Sequence, residues 1–260
     1  MESEKVLDAV VNLLGNGTRT LPTGRLLHLV GGDKFKEVGE EFLTYFVELA
    51  DLKPDERVLD IGCGIGRQAF SLAKYLNQKG SYEGLDVVPI GIHWCKKNIA
   101  ARYPNFNFQL IDVLNNFYNP SGKCRASRYK FPFPNSSFDF TYFVSVFTHL
   151  LPEDMENYFR EAARLLKKGG RFFATFFLCN TPPHRKSGGE SQALNFKYVL
   201  GRHQVVDIEK PEYAVAYDEE YILNLFERNG LEIKPPLHYG SWNGRAEYLG
   251  FQDIIIAFKP

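Results

Sequence analysis

Cysteine is scarce and scattered. Cys63, Cys95, Cys124 and Cys179 are the four in 260 residues, and no two form a CxxC pair. The usual structural zinc spacings are therefore absent, and no metal centre is expected. Reduced thiols are expected, although spacing leaves a disulfide open. Long apolar runs are missing too. None approaches the ~18 residues that span a bilayer, so no membrane partner is expected. Neither sign of charge is in excess, with 31 Lys+Arg against 31 Asp+Glu. Nothing global draws the chain onto nucleic acid or a charged surface, and no nucleic-acid partner is expected. The start, MESEKVLDAVVNLLGNG, lacks the basic, apolar and small-residue regions of a signal peptide, so the expected location is cytoplasmic. No internal repeat is present.

What remains is an ordinary globular composition, 44% hydrophobic and 24% charged. The length suits one large domain or a domain with an insertion. Aromatics reach 15%, enough for a core or for a pocket.

Periodicity predicts helices within residues 1–50, from Val6, Val10, Leu13 and Leu14 and again from Phe42, Tyr45, Phe46 and Leu49. From Arg57 strands and helices alternate. Strands are expected at 58–61, 81–87, 106–112, 138–145 and 171–178. Helices are expected at 68–76, 90–103 and 152–168, the last closed by Gly169-Gly170. Such alternation builds a parallel sheet covered on both faces. A helix at 218–229 and two strands at 231–238 and 254–258 follow. Without a crossover helix those two strands must pair antiparallel or leave the sheet. Residues 179–217 fit neither pattern, and excursions of that length are commonly functional or disordered.

The first strand ends in VLDIGCGIGRQAF. Gly62, Gly64 and Gly66 allow a sharp turn before a helix whose N-terminus brings unpaired N–H groups. Dinucleotide oxidoreductases use GxGxxG; here the spacing is GxGxG. The second strand ends at Asp86, about twenty residues past Gly66, where an acid can hold a ribose diol. The third ends at Asp112, where a carboxylate can accept from an adenine amino group or cap a helix.

With those residues assembled, the chain resembles a class I S-adenosylmethionine-dependent methyltransferase of the type 11/25 kind, which act on small molecules. The likeness rests on DIGCGIG at 60–66, YEGLDVV at 82–88, IDV at 111–113, FPFPNSSFDFTYFVSVFTHL at 131–150 and EAARLLKKGGRFFATFF at 161–177. It implies a doubly wound, seven-stranded Rossmann-like α/β sheet, mostly parallel with an antiparallel final strand. The expected organisation is a helical N-terminal lid at 1–50 and a methyltransferase domain at 51–260, with an insertion at 179–217 shaping the substrate pocket.

The resemblance also implies site residues. Asp60, Gly62, Gly64 and Gly66 would line the methionine part of S-adenosylmethionine. Asp86 would bind the ribose hydroxyls and Val87 the adenine. Asp112 and Val113 would bind the adenine amino group and face, and Ser145 would lie near the transferred methyl. Arg67 is counted with the cofactor set, although contact with the methionine carboxylate, contact with substrate and a place in solvent all stay open for it.

His149 in SVFTHL is the best base candidate, since it follows the fourth strand and histidine titrates near neutral pH; a packing role is the alternative. His184 lies in a loop able to reach a substrate. Arg125 and Arg128 fall in an acid-free basic stretch, either solvated or facing an anionic acceptor. Trp242 either covers the pocket or closes a hairpin. The expected activity is in-line methyl transfer to a small-molecule acceptor, possibly an anion. A macromolecular methyltransferase acting on RNA or protein, and a non-catalytic S-adenosylmethionine-binding protein, are the alternatives. The acceptor, the atom methylated and the oligomeric state are not readable from the chain.

Overall fold

The computed structural model describes Pro22, residues 34–179 and residues 194–260. The first expected helix, most of the expected N-terminal lid, and His184 lie outside the described residues. Two compact units result, one closing at Ile111 and the other spanning Asp112–Pro260.

The first unit begins with α1, Phe35–Glu48. Then come β1 (Arg57–Ile61), α2 (Arg67–Tyr75), β2 (Ser81–Asp86), α3 (Pro89–Cys95) and β3 (Phe106–Leu110). β1, β2 and β3 pair parallel, with Ile61 opposite Leu85 and Asp86 opposite Leu110. Parallel pairing puts all three carboxyl ends on one edge. Four of the five β1 residues are buried, as expected of a strand covered on both faces. Pro89 opens α3, where its missing N–H costs nothing. The helix expected at 90–103 is α3 followed by a π-helical turn, Lys96–Ala100. Its last bond runs from the Ala101 N–H to the Lys96 carbonyl, one residue wider than an α-turn.

The second unit starts with a short parallel pair, β4 (Val113–Leu114) and β5 (Cys124–Arg125). β6 (Phe138–Phe143), α4 (Pro152–Leu165) and β7 (Leu166–Phe176) follow. β13 (Asp253–Phe258) runs antiparallel to β7, and the two-residue β12 (Glu232–Ile233) antiparallel to β13. The chain therefore has a seven-stranded, mostly parallel sheet with one antiparallel strand, three strands lying in the first unit and four in the second. Five phenylalanines, 143, 147, 159, 172 and 176, stack in the core of the second unit and Phe226 meets them edge-on, all six fully buried.

One expectation is corrected. The fourth helix stops at Leu165, and Gly169-Gly170 lies inside β7 rather than at the helix end. Leu166 already pairs with Phe138, and the register then slips before Phe140 meets Arg171. Gly169 takes up the slip with φ of +74°, a bulge geometry that suits glycine. The stretch 179–217, which fits neither periodic pattern, carries strands where it is described. Its described part contributes β9 (Tyr198–Leu200), β10 (His203–Val205) and β11 (Val215–Asp218), which with β8 (Leu178–Cys179) form a four-stranded sheet in the order β8-β11-β10-β9. α5, Glu219–Arg228, follows, capped by the Asp218 carboxylate accepting from the Tyr221 N–H at 3.1 Å.

Candidate functional site

In the first unit the strand ends converge on the glycine turn. Gly62, Gly64 and Gly66 have φ of 86°, 55° and 73°, a conformation that favours glycine. Asp86 is buried at the end of β2. One carboxylate oxygen accepts from the Gly64 N–H at 2.7 Å and the other from the Val88 N–H at 2.8 Å. Burial pushes the Asp86 carboxyl above its usual range, and these amide bonds pull it back in part. Each oxygen keeps lone-pair capacity for a hydroxyl donor. Asp60, also buried, accepts from the Tyr82 hydroxyl at 2.6 Å. Val87, next to Asp86 in sequence, is half-buried.

The turn does not form a phosphate cradle. The Gly62 and Cys63 amides both donate to the Leu85 carbonyl, the Gly66 amide donates to Cys63, and the Gly64 amide donates to Asp86. A phosphate loop aims such amides at its ligand. Gly66 serves packing as well, since a Cβ there would lie 2.7 Å from Ile99 Cδ1 and 2.9 Å from Cys95 Sγ. Buried carboxylates beside a spent glycine turn suit a ligand that donates hydroxyls or carries positive charge. Arg67 opens α2 half-buried, and desolvation lowers its pKa.

The family described as Methyltransferase domain matches residues 58–170, the segment that holds this turn and the strands after it. Over that segment the chain resembles the class I S-adenosylmethionine-dependent methyltransferases. It is 28% identical over 144 residues to a phosphoethanolamine N-methyltransferase of Triticum aestivum, covering 55% of this chain and 25% of that one. It is 27% identical over 188 residues to a tRNA N(3)-cytidine methyltransferase of Gallus gallus, covering 68% and 43%. The chain thus spans a quarter to under half the length of these curated relatives. Its fold is similar to the Burkholderia thailandensis 1,6-didemethyltoxoflavin-N1-methyltransferase, solved with S-adenosylhomocysteine, at TM-score 0.53 and 17% identity over 85% of this chain and 76% of that one. S-adenosylmethionine is the family's cofactor, and the buried carboxylates of the first unit fit its ribose hydroxyls and its cationic sulfonium.

The remaining candidate residues described lie in the second unit. Asp112 is exposed, and its carboxylate accepts from the Lys123 N–H at 3.2 Å; Val113 is buried in β4. Ser145, just past β6, is one of three non-glycine residues at positive φ among the described residues, +58°. Its N–H donates to Thr175 Oγ1 at 2.8 Å and its hydroxyl to Gln252 Oε1 at 3.0 Å. Strained backbone of this kind concentrates at functional sites. Arg125 and Arg128 are exposed. Trp242 is only 6% exposed, packs on Phe177 and Phe196, and donates through Nε1 to Asp253 at 2.6 Å. It is held in a buried cluster with Phe177 and Phe196. Among the described residues no three His, Cys, Asp or Glu side chains group as for a metal, and all four cysteines are free thiols. No described helix is long and apolar enough to cross a membrane.

His149 closes a 3₁₀ turn, Phe147–His149, anchored by the buried Phe147. Nδ1 lies 3.0 Å from the Glu212 carbonyl oxygen. A carbonyl only accepts, so Nδ1 carries the proton and neutral His149 presents a basic Nε2. Nε2 lies 3.4 Å from the Tyr118 hydroxyl, whose ring meets the imidazole edge-on at 5.3 Å. Burial lowers the His149 pKa, and bonds to the Glu212 and Tyr213 backbone offset part of that. The sequence reading named His149 but not its neighbours Phe117, Tyr118, Glu212 and Tyr213. Adjacent aromatics between turn residues in NNFYNP were a visible signal. Their meeting with Glu212, 96 residues from the Asn116 amide that donates to its carboxylate at 2.7 Å, depends on the fold.

Proposed function

We propose that the chain transfers a methyl group from S-adenosylmethionine to a small-molecule acceptor. In this reading Asp60, Gly62, Gly64, Gly66, Arg67, Asp86, Val87, Asp112, Val113 and Ser145 hold the cofactor, and His149 is the base. Residues 51–260 are the catalytic domain, with 179–217 shaping the acceptor pocket. The observation that carries the reading is the buried Asp86 carboxylate, fixed by the Gly64 and Val88 amides at a strand end. S-adenosylmethionine supplies, when bound, a methyl already activated on a sulfonium. The protein's share is alignment, exclusion of water and proton handling. His149 Nε2 takes the proton of an acceptor hydroxyl, while the Nδ1–H bond to Glu212 steadies the imidazolium.

A small acceptor is supported by zero net charge and by the wheat relative, named for phosphoethanolamine. A macromolecular acceptor is the second reading, favoured by the likeness to the tRNA methyltransferase over 68% of this chain. The test is transfer of labelled methyl from S-adenosylmethionine to a fractionated cell extract, with calorimetry of cofactor binding alongside. Label in the low-mass fraction is the expected result. Label in RNA or protein selects the second reading. Cofactor binding without any label leaves a non-catalytic binding protein.

A further inference from the structure

A cavity of about 470 Å³ opens in the second unit, lined by Phe117, Tyr213, Tyr198, Lys197, Lys210 and Asp207. Phe117 and Tyr213 are large aromatics left 45% and 47% exposed. Their rings meet edge-to-face at 5.7 Å, so they form a preset apolar corner. Lys197 is seated with its ammonium 4.8 Å from the centre of the Tyr198 ring. Asp207 is engaged by the Glu209 N–H, which donates to it at 2.9 Å. The lining thus carries two cations and one acid. Exposed aromatic faces in a cavity that also holds two lysines are the chemistry that takes a planar, negatively charged molecule.

The cavity adjoins the candidate base through Phe117 and through Tyr213, whose backbone bonds the imidazole. The Phe117 ring also lies parallel to the His149 imidazole, 6.4 Å away at 7°. The short loop at 115–119 is pinned at both ends by reciprocal Asn115 and Asn119 backbone bonds of 3.2 and 2.9 Å. It therefore presents Tyr118 to the His149 ring and Phe117 to the cavity at once.

We infer that this cavity is the acceptor's tail subsite, and that the acceptor is a planar or aromatic molecule bearing a carboxylate, phosphate or sulfonate. The ring lies against Phe117 and Tyr213. The anion is taken by Lys197 and Lys210, in place of the Arg125 and Arg128 weighed from sequence. The assignment rests on the methyl-transfer reading for the word acceptor, and on the cavity alone for the ligand class.

The probes are 8-anilinonaphthalene-1-sulfonate and its neutral analogue N-phenyl-1-naphthylamine, titrated by fluorescence against the full chain. The sulfonate should bind at one saturable site. Lys197→Glu with Lys210→Glu should weaken it at least tenfold and change the neutral analogue less than twofold. Phe117→Ala should weaken both, and Tyr248→Ala, which removes an aromatic 60% exposed elsewhere, should weaken neither. Unfolding curves of each variant show whether the fold is retained, and Tyr213→Ala replaces Phe117→Ala if that variant does not fold. Sulfonate binding that ignores both the lysine pair and the aromatic variants overturns the assignment, as does binding lost in Tyr248→Ala. Calorimetry with S-adenosylmethionine on the wild type separates the two layers. Probe binding through Phe117 without cofactor binding keeps the ligand class and removes methyl transfer, whereas cofactor binding without probe binding does the reverse.

Discussion

His149 carries its proton on Nδ1, donated to the Glu212 carbonyl, and keeps Nε2 as the basic atom. Burial lowers its pKa from the ordinary 6.5, so the ring is neutral and ready to accept a proton at pH 7. For an acceptor hydroxyl, kcat/KM should rise with pH along a limb centred below 6.5. His149→Ala should cost roughly 10²–10⁴-fold in turnover, the range for a general base, and change cofactor affinity less than twofold. A flat pH profile with intact His149→Ala turnover would assign the ring a packing role. The same shift has a stability consequence. The folded pKa lies below the unfolded one, so the native state binds the proton less well. Stability from this group is therefore complete above 6.5 and is lost as pH falls from there through the lowered folded value. Asp253 is the other residue with an outsized share. It is fully buried and accepts from Leu178 N, Gly240 N, Trp242 Nε1 and Arg245 at 2.6–2.9 Å. Asp253→Ala strands four donors, Arg245 among them. The expected loss is about 3–5 kcal/mol, the usual cost of breaking a buried charge pair, read as a lower urea midpoint.

Elements reveal why some of the architecture was legible. β1, β2 and β3 announce themselves through short segments with an acid at or just past the end, and the turn between β1 and α2 through glycine spacing. Each is a local pattern of fewer than ten residues, and each appears where expected to within a residue or two. β9 and β10 escaped notice although they are joined by only Gly201-Arg202, a two-residue hairpin loop with Gly201 at φ +71°. Their runs, YVL and HQV, are too short and too mixed to stand out from a polar insertion. The β7 bulge was misread because Gly-Gly after a helix has two physical uses, a helix stop and a strand irregularity. Only the pairing of Leu166 with Phe138 selects the second. The same limit hid the ring of groups around His149, which are brought in from separate loops. Gly66 gives an element-scale test. Gly66→Ala puts a methyl against Ile99 and Cys95 on a left-handed backbone. Strain and overpacking together should cost about 2–4 kcal/mol, checked by chemical denaturation. An unchanged denaturation midpoint would mean that α3 yields readily and that the turn is not locked by it.

At the scale of the whole molecule, zero net charge supplies no overall attraction to gather a ligand from a distance. Affinity for cofactor must come from the site itself, and its linkage to global stability makes that measurable without an acceptor. Binding to the native state alone adds about 2.7 kcal/mol at a ligand concentration 100 times Kd. In a chain of this size each kcal/mol moves Tm by roughly 2–4 °C, so S-adenosylhomocysteine at that concentration should raise Tm by about 5–10 °C. Asp86→Ala removes the acceptor expected to hold the ribose hydroxyls, and a tenfold loss of affinity is expected from losing charge-assisted bonds. At the same ligand concentration the stabilisation falls to about 1.4 kcal/mol, and the shift to about half. The comparison has to be made on the ligand-induced shift of each variant. Asp86 also accepts from the Gly64 and Val88 amides, so its removal lowers the unliganded Tm as well. A wild type that does not shift would remove the cofactor assignment, whereas equal shifts in both proteins would keep the cofactor and relieve Asp86 of its role in holding it.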